Sequence, residues 1–69
     1  MSTVAELTAR EHDVMRLVIE GLSNKLIASE LGIALRTATF HVANSIKKLG
    51  APNRTGAAVI YDRARGRAS

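Results

Sequence analysis

The 69-residue sequence contains no cysteine and no tryptophan, a single proline, and only Phe40 and Tyr61 among the large aromatic residues. Without cysteine there is neither a disulfide nor a thiolate zinc site, and the two histidines, His12 and His41, cannot complete a four-ligand metal shell. No metal or cofactor is therefore expected. Two aromatic rings provide no platform for stacking single-stranded bases. Unbroken apolar runs reach only about five residues, as from Leu31 to Leu35, far short of the ~20 that cross a bilayer. Met1 to Leu7 carries Glu6 and no basic residue, unlike the positively charged start of a secretory leader. The expected setting is a reducing, cytoplasmic compartment, with no membrane partner. A chain of this length makes one domain that buries about 60% of its unfolded surface. Its core must come from aliphatic side chains or gain from a partner chain, and there is little room for a catalytic pocket.

One further absence is informative. No acidic residue occurs from Leu31 to Tyr61. Residues 1–30 hold three basic and five acidic side chains, a balance of −2, whereas residues 31–69 hold seven basic side chains against the single Asp62, a balance of +6. Such segregation either keeps a small protein soluble or presents a basic face to a polyanion. With single strands disfavoured, duplex DNA is the expected polyanion.

What is present reads as capped helices. Thr8-Ala9-Arg10-Glu11 has the pattern of a capping box, with Leu7 in the staple position before it. Val14, Met15, Leu17, Val18 and Leu22 follow at helical spacing, which predicts a first helix over roughly 9–20 with Gly21 as its stop. Ser23 caps a predicted second helix over Asn24 to Leu31, with Ile27, Ala28 and Leu31 inward. Gly32 supplies a tight turn. A third helix is predicted over about 35–49, ending at Gly50 with Pro52 beyond. Thr55 is the expected cap of a short fourth helix over Gly56 to Arg63. The domain limits expected are an extension at 1–6, a four-helix all-α domain over 7–62, and a basic frayed tail at 63–69.

The second and third helices are separated by a short turn around Gly32, the spacing of a helix-turn-helix. At about 100° per residue, Ala38, Val42, Ser45 and Leu49 share one side of the third helix, flanked by Leu35 and Ile46. That side is the expected core. Arg36, Phe40, Ala43 and Lys47 share the opposite side, with Thr39 on one shoulder and Thr37, His41, Asn44 and Lys48 on the other.

Leu7-Thr8-Ala9-Arg10-Glu11, Gly21-Leu22-Ser23-Asn24-Lys25, Ile27-Ala28, Leu31-Gly32-Ile33, Thr37, His41-Val42, Asn44, Lys48-Leu49-Gly50 and Asn53-Arg54-Thr55 occur in this order and spacing. In them the chain resembles the LuxR/FixJ/GerE-type DNA-binding domain over about residues 7–61. The resemblance implies sequence-specific binding of double-stranded DNA in bacterial transcription regulation, with the third helix in the major groove. It also implies a homodimer through the fourth helix and an origin among response regulators, autoinducer receptors or stand-alone regulators. Contact with RNA polymerase is a further implied partnership. No enzymatic activity is implied.

On this reading the DNA-facing residues are Ser23, Asn24 and Lys25 from the second helix, Arg36, Thr37, Thr39, Phe40, Ala43, Asn44 and Lys47 from the third, and Arg54. Ser23 is also a cap, His41 is expected to pack and hydrogen-bond beside the core, and Arg54 either meets phosphate or pairs with an acid of the first helix. Ala57, Val59, Ile60 and Tyr61 form the expected dimer face. His12 and Asp13 are adjacent, but neighbouring helical residues diverge by about 100°, so they make no catalytic pair.

The chain also departs from the family pattern. Ala34 stands where Ser usually caps the third helix, Thr39 where Lys is usual, and Ala43 where a basic or polar contact is usual. Ala38 and Ser45 are small for inward positions, Leu26 replaces the Glu of a second capping box, and Gly56 replaces a better helix former. Phe40 points outward, either to a thymine methyl or to a protein. The lost lysines and Phe40 support a second reading, a helix-turn-helix domain used mainly for protein–protein interaction with a regulator or polymerase subunit.

Overall fold

A computed structural model describes residues 6–67. Four helices follow in order: α1 (Ala9–Ile19), α2 (Asn24–Leu31), α3 (Leu35–Lys48) and α4 (Arg54–Arg67), with no strand among the described residues. The capping box forms as the sequence requires. Thr8 Oγ1 accepts from the Glu11 amide at 3.1 Å, and the Thr8 amide donates to Glu11 Oε1 at 2.8 Å. At α2, Ser23 Oγ accepts from the Leu26 amide at 3.2 Å, whereas Ala34 gives α3 no side-chain cap.

The turn between α2 and α3 is set by Gly32, whose φ of 66° is in the left-handed region. The Ile33 amide donates to Ala28 O at 3.0 Å and the Gly32 amide to Ser29 O at 3.3 Å, the paired bonds that close a helix C-terminus. The same pair of bonds recurs at the ends of α1 and α3. Three helices thus stop where backbone geometry, not side-chain chemistry, stops them.

α3 lies across both α1 and α2, and α4 packs mainly on α1. The core gathers Leu7, Val14, Met15 and Val18 with Ile27, Ala28, Ala38, Val42, Leu49, Ala57 and Tyr61. Ala38 and Ser45 are both fully enclosed, so neighbours cover these shortened side chains. The Ser45 hydroxyl donates to His41 O at 2.7 Å, the bond to the preceding turn that makes serine tolerable inside a helix.

Three expectations need correction. The cap of α4 is Asn53, not Thr55: Asn53 Oδ1 accepts from the Gly56 amide at 2.8 Å and Asn53 O from the Ala57 amide at 3.0 Å. Both residues are good cap formers, and local pattern does not choose between them. Pro52 leaves little room at Gly56, where an added β-carbon would meet Pro52 Cδ at 3.1 Å. The helix then continues through Arg67 rather than ending at Arg63 in a frayed tail, with Arg65 donating to Asp62 Oδ1 at 3.3 Å one turn back. Ala68 and Ser69, and residues 1–5 of the expected extension, lie outside the described residues. Finally, Leu35 does not flank the core. It is 52% exposed at the first position of α3 and is not among the residues packed on the core.

Candidate nucleic-acid interface

The outward side of α3 is as projected. Arg36, Thr39, Phe40, Ala43 and Lys47 are all exposed, and Phe40 is the most exposed large apolar residue described, at 61%. Its ring meets that of His41 nearly edge-on, with centroids 5.9 Å apart. Thr37 and Asn44 are half-buried on the shoulder of the helix. Ala43 carries no polar atom in its side chain, so its contribution to a groove is a methyl surface.

The first turn of α2 is tied to this face. Asn24 Nδ2 donates to Thr39 Oγ1 at 3.4 Å, and Asn24 Oδ1 accepts from Arg54 Nη1 at 2.5 Å. Arg54 Nη2 also donates to Leu22 O at 2.5 Å. Arg54 therefore pairs with no acid of α1, against one of the sequence expectations. Its fork clamps the loop before α2 to the start of α4, a role visible only once the helices are folded together. Asn24 links three helices, which fixes where Ser23 and Lys25 are presented.

The remaining charges separate into two sets. Lys48 Nζ donates to Glu11 Oε1 at 2.8 Å, and the Glu11 side chain is 4% exposed. Burial acts to raise the Glu11 carboxyl, but the Lys48 ammonium and the Thr8 amide outweigh it and hold the group below the ordinary carboxylate range. Asp13 takes Arg16 and, at 3.7 Å, Arg10. His12 Nδ1 bonds the Tyr61 hydroxyl at 2.9 Å, so His12 and Asp13 serve different partners. By contrast, no acid among the described residues pairs with Lys25, Arg36 or Lys47.

The expected dimer face divides. Ala57 has no exposed surface and Tyr61 only 3%, because α4 turns them onto α1; they belong to the core. Val59 and Ile60 remain exposed, at 43% and 38%. Sequence spacing missed this because four consecutive small and apolar residues precede Tyr61 and blur the period. Among the described residues there is no pocket and no group of side chains able to hold a metal ion. No described helix is long and apolar enough to cross a membrane.

Four short helices, a glycine turn between α2 and α3, and an exposed face on α3 define a helix-turn-helix regulatory domain. The chain belongs to the bacterial regulatory proteins of the luxR family, whose GerE model matches residues 5–61. That membership makes it a regulatory domain and not an enzyme. It is 42% identical over 60 residues to the nitrate/nitrite response regulator protein NarP of Escherichia coli strain K12, covering 87% of this chain and 28% of that protein. Transcriptional regulatory protein LiaR of Bacillus subtilis strain 168 is 42% identical over 57 residues, covering 83% and 27%. Among solved structures, response regulator StyR superposes with a TM-score of 0.80 at 39% identity, over 86% of this chain and 30% of that one. The chain spans under a third of the length of these relatives.

Proposed function

We propose that the domain binds double-stranded DNA sequence-specifically in bacterial transcription regulation in the cytoplasm, as the DNA-binding end of a response regulator, the kind of protein that NarP and StyR are. α3 enters the major groove and presents Arg36, Thr39, Phe40, Ala43 and Lys47 to base edges and flanking phosphates. Ser23, Asn24 and Lys25 approach the backbone beside the groove, with Thr37 and Asn44 at its lip. Arg54 holds that turn in place and sets its register. The observation that carries the reading is the set of unpaired cations, Lys25, Arg36 and Lys47, around a segment without any acid.

Val59 and Ile60 are the exposed apolar residues of α4 on which two copies meet in a homodimer, reading half-sites related by a two-fold axis. RNA polymerase contact falls to surfaces away from α3. The domain comprises residues 7–62, with the last turns of α4 adding basic charge. The test is titration of a fluorescent duplex at about 50 and about 200 mM salt. Affinity falling steeply with salt supports the reading. A duplex that leaves the protein unbound at the lower salt overturns it, and favours the protein–protein reading to which exposed Phe40 also points.

A further inference from the structure

The middle of the proposed DNA-binding face is apolar where hydrogen-bond donors would serve a polar code. Leu35, Thr39 and Ala43 follow one another at intervals of four along α3, and Phe40 lies beside them, three before Ala43. All four are exposed, Leu35 and Phe40 by 52% and 61%. The Thr39 hydroxyl accepts from Asn24, which draws its oxygen toward α2. Charge flanks the Phe40 and Ala43 part of this strip, with Arg36 one turn before Phe40 and Lys47 one turn after Ala43. Arg36 is in the first turn and Lys47 in the last, roughly 16 Å apart along the helix axis at 1.5 Å per residue.

The major groove displays one apolar group, the 5-methyl of thymine. The apolar surface of Phe40 and Ala43, set between unpaired cations, therefore complements a stretch of groove that carries thymine methyls between phosphates, with Leu35 extending it at the start of α3. We propose that this domain selects its DNA mainly through thymine 5-methyl groups packed on Phe40, Ala43 and Leu35, rather than through hydrogen bonds to base edges. The proposal rests on the DNA-binding reading above. The Phe40 ring stands edge-on to that of His41, with its centroid 5.9 Å away, and is otherwise exposed.

The experiment begins with selection of tight-binding duplexes from a random library. One selected duplex is then resynthesised with uracil replacing thymine, singly and throughout, which removes the methyl and leaves every hydrogen-bonding group in place. Each methyl in contact is expected to contribute about three- to fivefold in affinity, the effect of burying one such group. The discrimination between thymine and uracil should largely vanish in Phe40→Ala. That variant keeps its fold because the ring is exposed, as circular dichroism would verify. Salt-dependent binding that is equal for thymine and uracil duplexes overturns the methyl reading and leaves DNA binding intact. No duplex binding at low salt overturns both.

Discussion

The two halves of this domain use charge in opposite ways. Around α1, charged and polar side chains are spent on the protein itself: Glu11 with Lys48 at the end of α3, Asp13 with Arg10 and Arg16, His12 with Tyr61 of α4. Around α2 and α3, Lys25, Arg36 and Lys47 have no acid beside them. Exposed cations without partners contribute little to stability and remain available to a polyanion. The comparison separates a holding side, which makes a small core cohere, from a reading side, which is carried by it. Arg54 and Asn24 join the two.

The sharpest way to break this division is to remove charge from the reading side. The double change Arg36→Ala with Lys47→Ala should lower the slope of log affinity against log salt by about two units, one for each phosphate contact, in duplex titrations. Thermal unfolding should move little, because both side chains are exposed and unpaired. A large loss of stability instead would place these residues on the holding side.

The complementary change on the holding side is Glu11→Gln. It should cost about 1–3 kcal/mol, since a buried charged acceptor shared by Lys48 and the Thr8 amide is weakened. The partial exposure of Lys48, 35% for its side chain, keeps the loss from reaching that of a fully buried pair. In thermal melts of a domain this small, each kcal/mol moves Tm by about 4–8 °C. The same carboxyl predicts an acid limb. Its folded-state value is lowered, so its stabilisation is complete above the usual 4.5 and is lost as pH falls below that, through the lowered value. Melts between pH 7 and pH 2 should show this decline, and Glu11→Gln should flatten it.

A smaller effect is expected from Tyr61→Phe, which deletes the bond to His12 and leaves the ring packed: about 0.5–1.5 kcal/mol of stability, with DNA affinity unchanged. The smallest is a gain. Ala34→Ser restores a cap to α3 and should add about 0.5–1 kcal/mol without altering the salt slope.

Sequence alone revealed what is local. The capping box at Thr8 and Glu11, the Ser23 cap, the turn at Gly32 and the outward stripe of α3 are all written within a few residues of one another. What it hid is long-range or degenerate. Glu11 meets Lys48 across 37 residues and His12 meets Tyr61 across 49, distances over which periodicity carries no information. Arg54 could have served several partners, and only the packing of α4 beside the α2 turn selects Leu22 and Asn24. Thr55 was the expected cap of α4, and Asn53, with the same kind of side-chain acceptor, is the residue that caps it. Leu35 looked like core because its helical angle is intermediate, yet it stands exposed at the first position of α3. The family resemblance covered the fold well, but the residues that distinguish this chain's groove face, Thr39, Phe40 and Ala43, are those where the resemblance gives least guidance.

The most direct test of a holding side and a reading side is a map of backbone amide shifts as duplex DNA is added at about 50 mM salt. The account predicts that shifts cluster on Lys25 and on α3 from Arg36 to Lys47, while α1 amides around Glu11 to Val18 stay still. Shifts centred on α1, or confined to the arginines at the end of α4, would contradict it.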